Sequence, residues 1–216
     1  MLFARLLGWW VALLALVVGW GLLLTHPLSG SLGRMDDDLA RWFADRRTPT
    51  LDDLADVGTL LGDTLIGILS AVALAIGFSV WRRSWRPAVF VVTVGLGVYA
   101  TYLIAVSLVP RQRPPVKILD PGLVPDHSFP SGHVGTSIML WGCIVVLTWT
   151  YAGTARRWVT PLAVLPLVVM ISRLYQGAHH LTDVLTSLVF ATVWLAIVTR
   201  ALLYDESTAT RRVKVA

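Results

Sequence analysis

Six helices threading a lipid bilayer, an all-α membrane protein, are what this chain predicts, and three observations predict it. Its 216 residues are 56% hydrophobic and only 14% charged, where a soluble domain carries about a quarter charged residues. Apolar runs of a length that crosses the hydrocarbon core as a helix recur along the chain. The charges collect in the short segments between those runs. The length fits one domain, residues 1–216. A single cysteine, Cys143, lies in an apolar run, so no intramolecular disulfide can form. The net charge of +5 is read as basic loops that fix topology and meet anionic lipid, and no nucleic-acid partner is expected.

The first span covers about residues 6–24. It is longer than the apolar core of a signal peptide and is followed by no small-residue cleavage site, so it reads as a retained helix. A polar connection over 25–58 follows. It contains "MDDDLARWFADRR", in which Leu39, Trp42 and Phe43 recur at helical spacing, and Asp36 or Asp37 is placed to cap the start. This predicts an amphipathic helix lying at the membrane interface between spans one and two; an ordinary packed loop helix is the alternative. Spans two and three follow at 59–80 and 88–109, joined by "WRRSWRP". Gly95 and Gly97 in the third allow close helix approach. Span four covers 132–151 and span six 183–203. Span five, at 159–174, is short and holds Pro161 and Pro166, tolerable where neighbours re-satisfy the backbone.

Positive charge orients the bundle. Arg5, Arg82, Arg83, Arg86, Arg156, Arg157, Arg200, Arg211, Arg212 and Lys214 fall on one side, with only Asp205 and Glu206 as acids. The other side carries eight basic and eleven acidic residues. The positive-inside rule puts both termini in the cytoplasm and the connections 25–58, 110–131 and 175–182 outside.

Those last two connections hold most of the unusual chemistry: "VPRQRPPVKILDPGLVPDHSFPSGHVG" and "SRLYQGAHHLTD". In the first, Pro130 and Ser131 stand where a helix should begin. Gly132 lets a group approach the backbone, and free amides at a helix start form an anion site. His133 lies in that first turn; a plain serine cap with a chance histidine is the bland alternative. Arg113 and Arg173 carry planar forks suited to phosphate oxygens. Asp183 follows His179 by four residues and His180 by three, and both spacings suit one helical face. A carboxylate on one ring nitrogen would leave the other as nucleophile or base. Spacing does not choose between the two histidines. A metal site is the competing reading, opposed by arginines that would repel a cation, so neither metal nor other cofactor is expected. Two histidines, two arginines and a helix start point to metal-independent phosphoryl chemistry. His127, Asp120 and Asp126 are further polar groups of the same connection.

These residues resemble the type 2 phosphatidic acid phosphatases, membrane relatives of the vanadium haloperoxidases. The resemblance rests on Arg113-Pro114, on Pro130-Ser131-Gly132-His133, and on Ser172-Arg173 followed by His179 and Asp183, in that order within a six-span layout. It implies His179 as nucleophile, Asp183 as its orienting partner and His133 as general acid. It also implies phosphate binding by Arg113, Arg173, Ser131 and the Gly132 amide, at an outward-facing site acting on a lipid phosphate. The expected function is a lipid phosphate or diphosphate phosphatase of a bacterial-type plasma membrane, working through a phosphohistidine on polyprenyl diphosphate, phosphatidate or phosphatidylglycerophosphate. The lysine usual seven residues before the arginine of "RP" is here Val106. Arg111 and Lys117 are the candidate replacement cations. A phosphotransferase on the same scaffold, or a non-catalytic lipid-phosphate binder or transporter, are the alternatives.

Overall fold

The structure, a computed structural model, describes residues 1–204. The tail residues Asp205, Glu206, Arg211, Arg212 and Lys214, used above to orient the bundle, lie outside the described residues. Among the described residues all regular structure is helical, and six helical stretches are long and apolar enough to cross a membrane.

The first span is α1 (Leu2–Thr25). A π-helical turn, Ser29–Gly33, leads into α2 (Arg34–Ala44). The second span differs from the expected single helix: it is α3 (Pro49–Leu60) and α4 (Thr64–Arg82) with a break between them. Thr48 caps α3, with Pro49 in its first turn, and the Asp63 carboxylate caps α4 by accepting from the Ile66 amide at 2.8 Å. Gly62 in the break lies against the first turn of the fourth span; a Cβ there would sit 2.6 Å from the His133 carbonyl oxygen. The break thus lets the chain pass close beside the start of that helix.

The third and fourth spans are α5 (Arg86–Leu108) and α6 (Gly132–Tyr151). The fifth, Gly153–Tyr175, is irregular at its start. It passes through a short α7 (Arg156–Val159) and a 3₁₀ turn before settling into α8 (Leu165–Tyr175). Pro161 and Pro166 remove amide donors there, which favours the tighter turn. The sixth is α9 (Leu181–Thr199), which winds on as a π turn to Tyr204.

α6 is the central helix. It packs against α4, α5, α8 and α9, and Val134, Ile138, Met139, Cys143 and Leu147 are buried along it. α1 packs on α5 and α9, with Trp10 donating to the Gly97 carbonyl at 3.0 Å and to Thr101 Oγ1 at 3.0 Å. Large apolar side chains such as Phe3, Leu16, Leu69, Val80 and Leu96 are exposed around the bundle. In a bilayer they face acyl chains and carry no hydrophobic cost.

α2 is the expected helix between spans one and two, but Asp36 is not its cap. The helix runs straight on from the π turn, and Asp36 turns inward while Asp38 stays exposed. Asp36 is 1% exposed, while Met35 and Trp42 point outward. Phe43 packs edge-on against Tyr175. α2 is packed onto the bundle: Asp36 bonds Arg111 in the loop before α6 and Thr182 on α9.

Candidate active site

The start of α6, the loop over residues 109–131 and the turn between α8 and α9 meet at one end of the bundle. They enclose a cavity of about 450 Å³ bordered by Tyr102, Arg113, Ser131, Gly132, His133 and His179, with apolar walls from Ile68, Val98, Leu103, Leu123 and Phe190.

Ser131 is the residue before α6, in extended conformation, and its side chain makes no capping bond. Its hydroxyl is 2% exposed as a residue and has no hydrogen-bond partner. The amides of the helix's first turn have no intrahelical acceptor by construction. A buried hydroxyl and a fan of free amides therefore converge where His133 stands.

Arg173 is fully buried at the end of α8. Its Nη1 donates to Asp120 Oδ2 at 2.7 Å and to Gln176 Oε1 at 2.8 Å. Its Nε and Nη2 have no partner. Buried donors left unmade cost about 1–3 kcal/mol each. The charge of Arg173 lies close enough to His179 and Arg113 to act on both. Arg113 donates from Nε to the Val124 carbonyl at 2.8 Å, from Nη2 to the His127 carbonyl at 3.0 Å and from Nη1 to the Ala178 carbonyl. It ties the loop to the turn that carries His179 while lining the cavity. Burial, then the like charge of Arg173, pulls the Arg113 guanidinium below its ordinary value. An anion between the two arginines would relieve both effects.

His179 lines the cavity and is 4% exposed. Its Nδ1 lies 2.7 Å from the Ser128 carbonyl oxygen. A carbonyl only accepts, so Nδ1 carries the hydrogen and Nε2 keeps its lone pair. Asp183 does not make the expected direct bond: its Oδ2 is 3.9 Å from His179 Nδ1. The reason is local. His180, not His179, is the N-cap of α9, so His179 lies outside the helix and the i, i+4 rule does not reach it. Asp183 Oδ2 instead accepts from Ser128 Oγ at 2.6 Å, from the His180 amide at 2.9 Å and from His180 Nδ1 at 3.3 Å. Its hydrogen-bonded link to His179 runs through Ser128, while its charge acts on the ring across 3.9 Å.

Burial first, then the charge of Arg173, holds the His179 imidazole well below its ordinary 6.5, against the opposing pull of Asp183. Below pH 6.5 the unfolded chain takes up a proton here that the folded chain refuses. The stability this group contributes is therefore complete above pH 6.5 and is lost as pH falls from there toward the folded-state value. Histidine ¹⁵N spectra recorded from pH 8 down through pH 6.5 should keep His179 in the neutral Nδ1–H form; protonation centred at 6.5 would contradict this environment.

Neither candidate replacement cation borders the cavity. Arg111 is 7% exposed and spent on two carboxylates: Nη2 donates to Asp36 Oδ2 at 2.7 Å and Nη1 to Asp183 Oδ1. Lys117 is exposed, and its backbone carbonyl accepts from Arg47 Nη1 at 2.7 Å. Val106 is buried on α5, one turn beyond the cavity-lining Tyr102. Of the further polar groups, Asp120 pairs with Arg173, His127 borders the cavity, and Asp126 lies 3.7 Å from His127 Nε2. Sequence reading missed Ser128, Gln176 and Tyr102. Only Ser128, three residues before Ser131, carried a hint, since it stands within the same motif-bearing segment.

Fold and site together define a six-span helical membrane protein with a cavity at one end of its bundle, bordered by His133, His179 and Arg113. The PAP2 superfamily model matches residues 86–206, more than half of the chain, and the chain belongs to that superfamily. Among solved structures, it is similar to the crystal structure of a transmembrane PAP2-type phosphatidylglycerolphosphate phosphatase from Bacillus subtilis, with a TM-score of 0.70 and 20% identity over 94% of this chain and 96% of that one. No curated protein matches the chain.

Proposed function

We propose that this protein is a metal-independent lipid phosphate or diphosphate phosphatase that works through a phosphohistidine on His179. The observation that carries the reading is the set of buried, unpartnered donors, Arg173 Nε and Nη2 with Ser131 Oγ, beside a cavity bordered by both His133 and His179. Phosphoryl oxygens supply the acceptors these donors lack, with the α6 amides and Arg113 sharing the charge. His179 Nε2 attacks phosphorus and the bond to the leaving oxygen breaks. A protonated His133 gives its proton to that oxygen. Water, deprotonated by His133, then attacks the phosphohistidine, releasing phosphate and restoring His179. Asp183 supports the nucleophile through Ser128.

A lipid rather than a soluble ester is favoured by the cavity's continuation. Ile68 and Tyr99 border both the cavity and an apolar groove of about 420 Å³ between α4 and α5, a path for one hydrocarbon tail. The substrate class is then polyprenyl diphosphate, phosphatidate or phosphatidylglycerophosphate, the last suggested by the Bacillus subtilis relative's name. Arg82, beside Tyr151 at 5.3 Å, and Arg86, bonded to the Leu202 carbonyl at 3.4 Å, lie at the other end of the bundle from Arg113. That supports cytoplasmic termini and an extracytoplasmic site in a plasma membrane, in one membrane-embedded domain.

A second reading is a lipid-phosphate binder without turnover, favoured by Val106 and by the commitment of Arg111 elsewhere. Purified protein in detergent with chelator, given a panel of lipid phosphates, distinguishes them. The expected result is phosphate release without added metal and a marked loss of rate on short-chain esters. Dependence on a divalent ion, or saturable binding with no release, would reject the phosphatase reading. Val106→Lys should raise turnover if the missing lysine limits the site. Release of the phosphoryl group to an added alcohol in preference to water would assign a transferase.

A further inference from the structure

Asp36 stands on α2, outside the residues matched by the superfamily model, yet it is among the most deeply buried charges of the described residues. Its Oδ2 accepts from Arg111 Nη2 at 2.7 Å and from Thr182 Oγ1 at 2.6 Å. Its Oδ1 accepts from the Thr182 amide at 3.2 Å, one of the donors that the start of α9 leaves free. Arg111 spans from Asp36 to Asp183 and also donates to Thr182 Oγ1 at 2.7 Å. Asp183 holds the Ser128 hydroxyl at 2.6 Å, and the Ser128 carbonyl holds His179 Nδ1–H at 2.7 Å. Arg111 grips the same residue a second time, because its backbone carbonyl accepts the Ser128 amide at 3.1 Å. Ser128 is thus fixed at its amide, its hydroxyl and its carbonyl, and two of those three anchors lead back to Arg111.

We infer that Asp36 and Arg111 are positioning residues for His179, acting through Asp183 and Ser128. The inference rests on the reading of His179 as nucleophile. Two carboxylates on opposite ends of one guanidinium share it between them. Remove the charge of Asp36 and Arg111 keeps one carboxylate, Asp183, which it can clasp with both nitrogens. That clasp draws Asp183 away from the Ser128 hydroxyl, frees the Ser128 peptide to turn, and releases the hydrogen bond that fixes the His179 tautomer and ring. The donors that face phosphate, on Arg173, Ser131 and the α6 amides, take no part in this chain of contacts. Substrate binding is therefore spared while the nucleophile loses its aim.

The test is Asp36→Asn, purified in detergent, with two readouts. Steady-state kinetics on the best lipid phosphate of the panel should show kcat down on the order of 10- to 100-fold with KM little changed, the pattern of a misplaced reacting group. The ¹⁵N-histidine spectrum should replace a single Nδ1–H form of His179 by a mixture of tautomers. Where Asp36→Asn does not fold, Arg111→Lys carries the same readouts, since an ammonium cannot bridge the two carboxylates with separate nitrogens. Unchanged kcat in folded protein, a rise in KM with kcat intact, or an unaltered His179 signal overturns the inference. A wild-type protein that turns over no lipid phosphate removes the phosphatase reading instead, and the His179 spectrum still decides whether Asp36 positions the ring.

Discussion

Replacing His179 by alanine should lower phosphate release from the lipid substrate by about 10⁴-fold or more, the scale of losing a covalent nucleophile, and should abolish any acid-labile phosphoenzyme trapped on rapid quenching. His180→Asn should leave the phosphoenzyme in place. The two histidines are neighbours in sequence but differ in what holds them. His179 Nδ1–H is turned to the Ser128 carbonyl, so Nε2 is the nitrogen left for the cavity. His180 has both ring nitrogens near carboxylates, Nδ1 at 3.3 Å from Asp183 and Nε2 at 3.3 Å from Asp37. It is the N-cap of α9, and its amide donates to the Asp183 carboxylate at 2.9 Å. Loss of such a cap costs about 1 kcal/mol, and asparagine keeps much of it, so the His180 variant should be somewhat less stable and still reactive. Retained turnover in His179→Ala, or a lost phosphoenzyme in His180→Asn, would exchange the two assignments and remove the mechanism.

The spans and several of the cavity-lining groups were legible in the sequence because each has a local signature. An apolar run of bilayer length is a helix whatever lies beside it. "FPSGH" declares a helix start with a free serine and a glycine, and the structure puts Ser131, Gly132 and His133 on the cavity. The supporting contacts had no such signature. Asp36, Asp37 and Asp38 are identical in type and consecutive, yet one is buried against Arg111, one reaches His180, and one pairs on the surface with Arg41 at 2.9 Å. Only the docking of α2 against α9 distinguishes them. The Asp183–His179 spacing misled for a related reason: periodicity assumes that both residues are helical, and the helix begins one residue too late. The break at Gly62 accommodates the His133 carbonyl of a helix far along the chain, which no local pattern could announce.

Arg173 should give the second large effect, and one that separates function from stability. Substitution by methionine, close in length but without charge, should cut kcat/KM by about 10²- to 10³-fold, as expected when donors aimed at a developing phosphoryl charge are removed. Arg173→Lys should fall nearly as far, because a point charge cannot place two donors where Nε and Nη2 now stand. Folding should respond differently. Without ligand, the protein buries a guanidinium whose Nη1 alone is bonded, to Asp120 and Gln176, while Nε and Nη2 go unmet. Methionine removes that cost. Asp120, whose side chain is 25% exposed, can be rehydrated when its partner goes. The methionine variant should therefore melt in detergent at or near the wild-type temperature. Inorganic phosphate or vanadate should raise the wild-type midpoint by binding the folded state alone, and should leave that of the variant unmoved. A variant that melts far below wild type yet is still stabilised by phosphate would make Arg173 a structural residue. A variant that keeps its fold and loses the phosphate response makes it the group for which the pocket is built, held in a state that is unfavourable until an anion arrives.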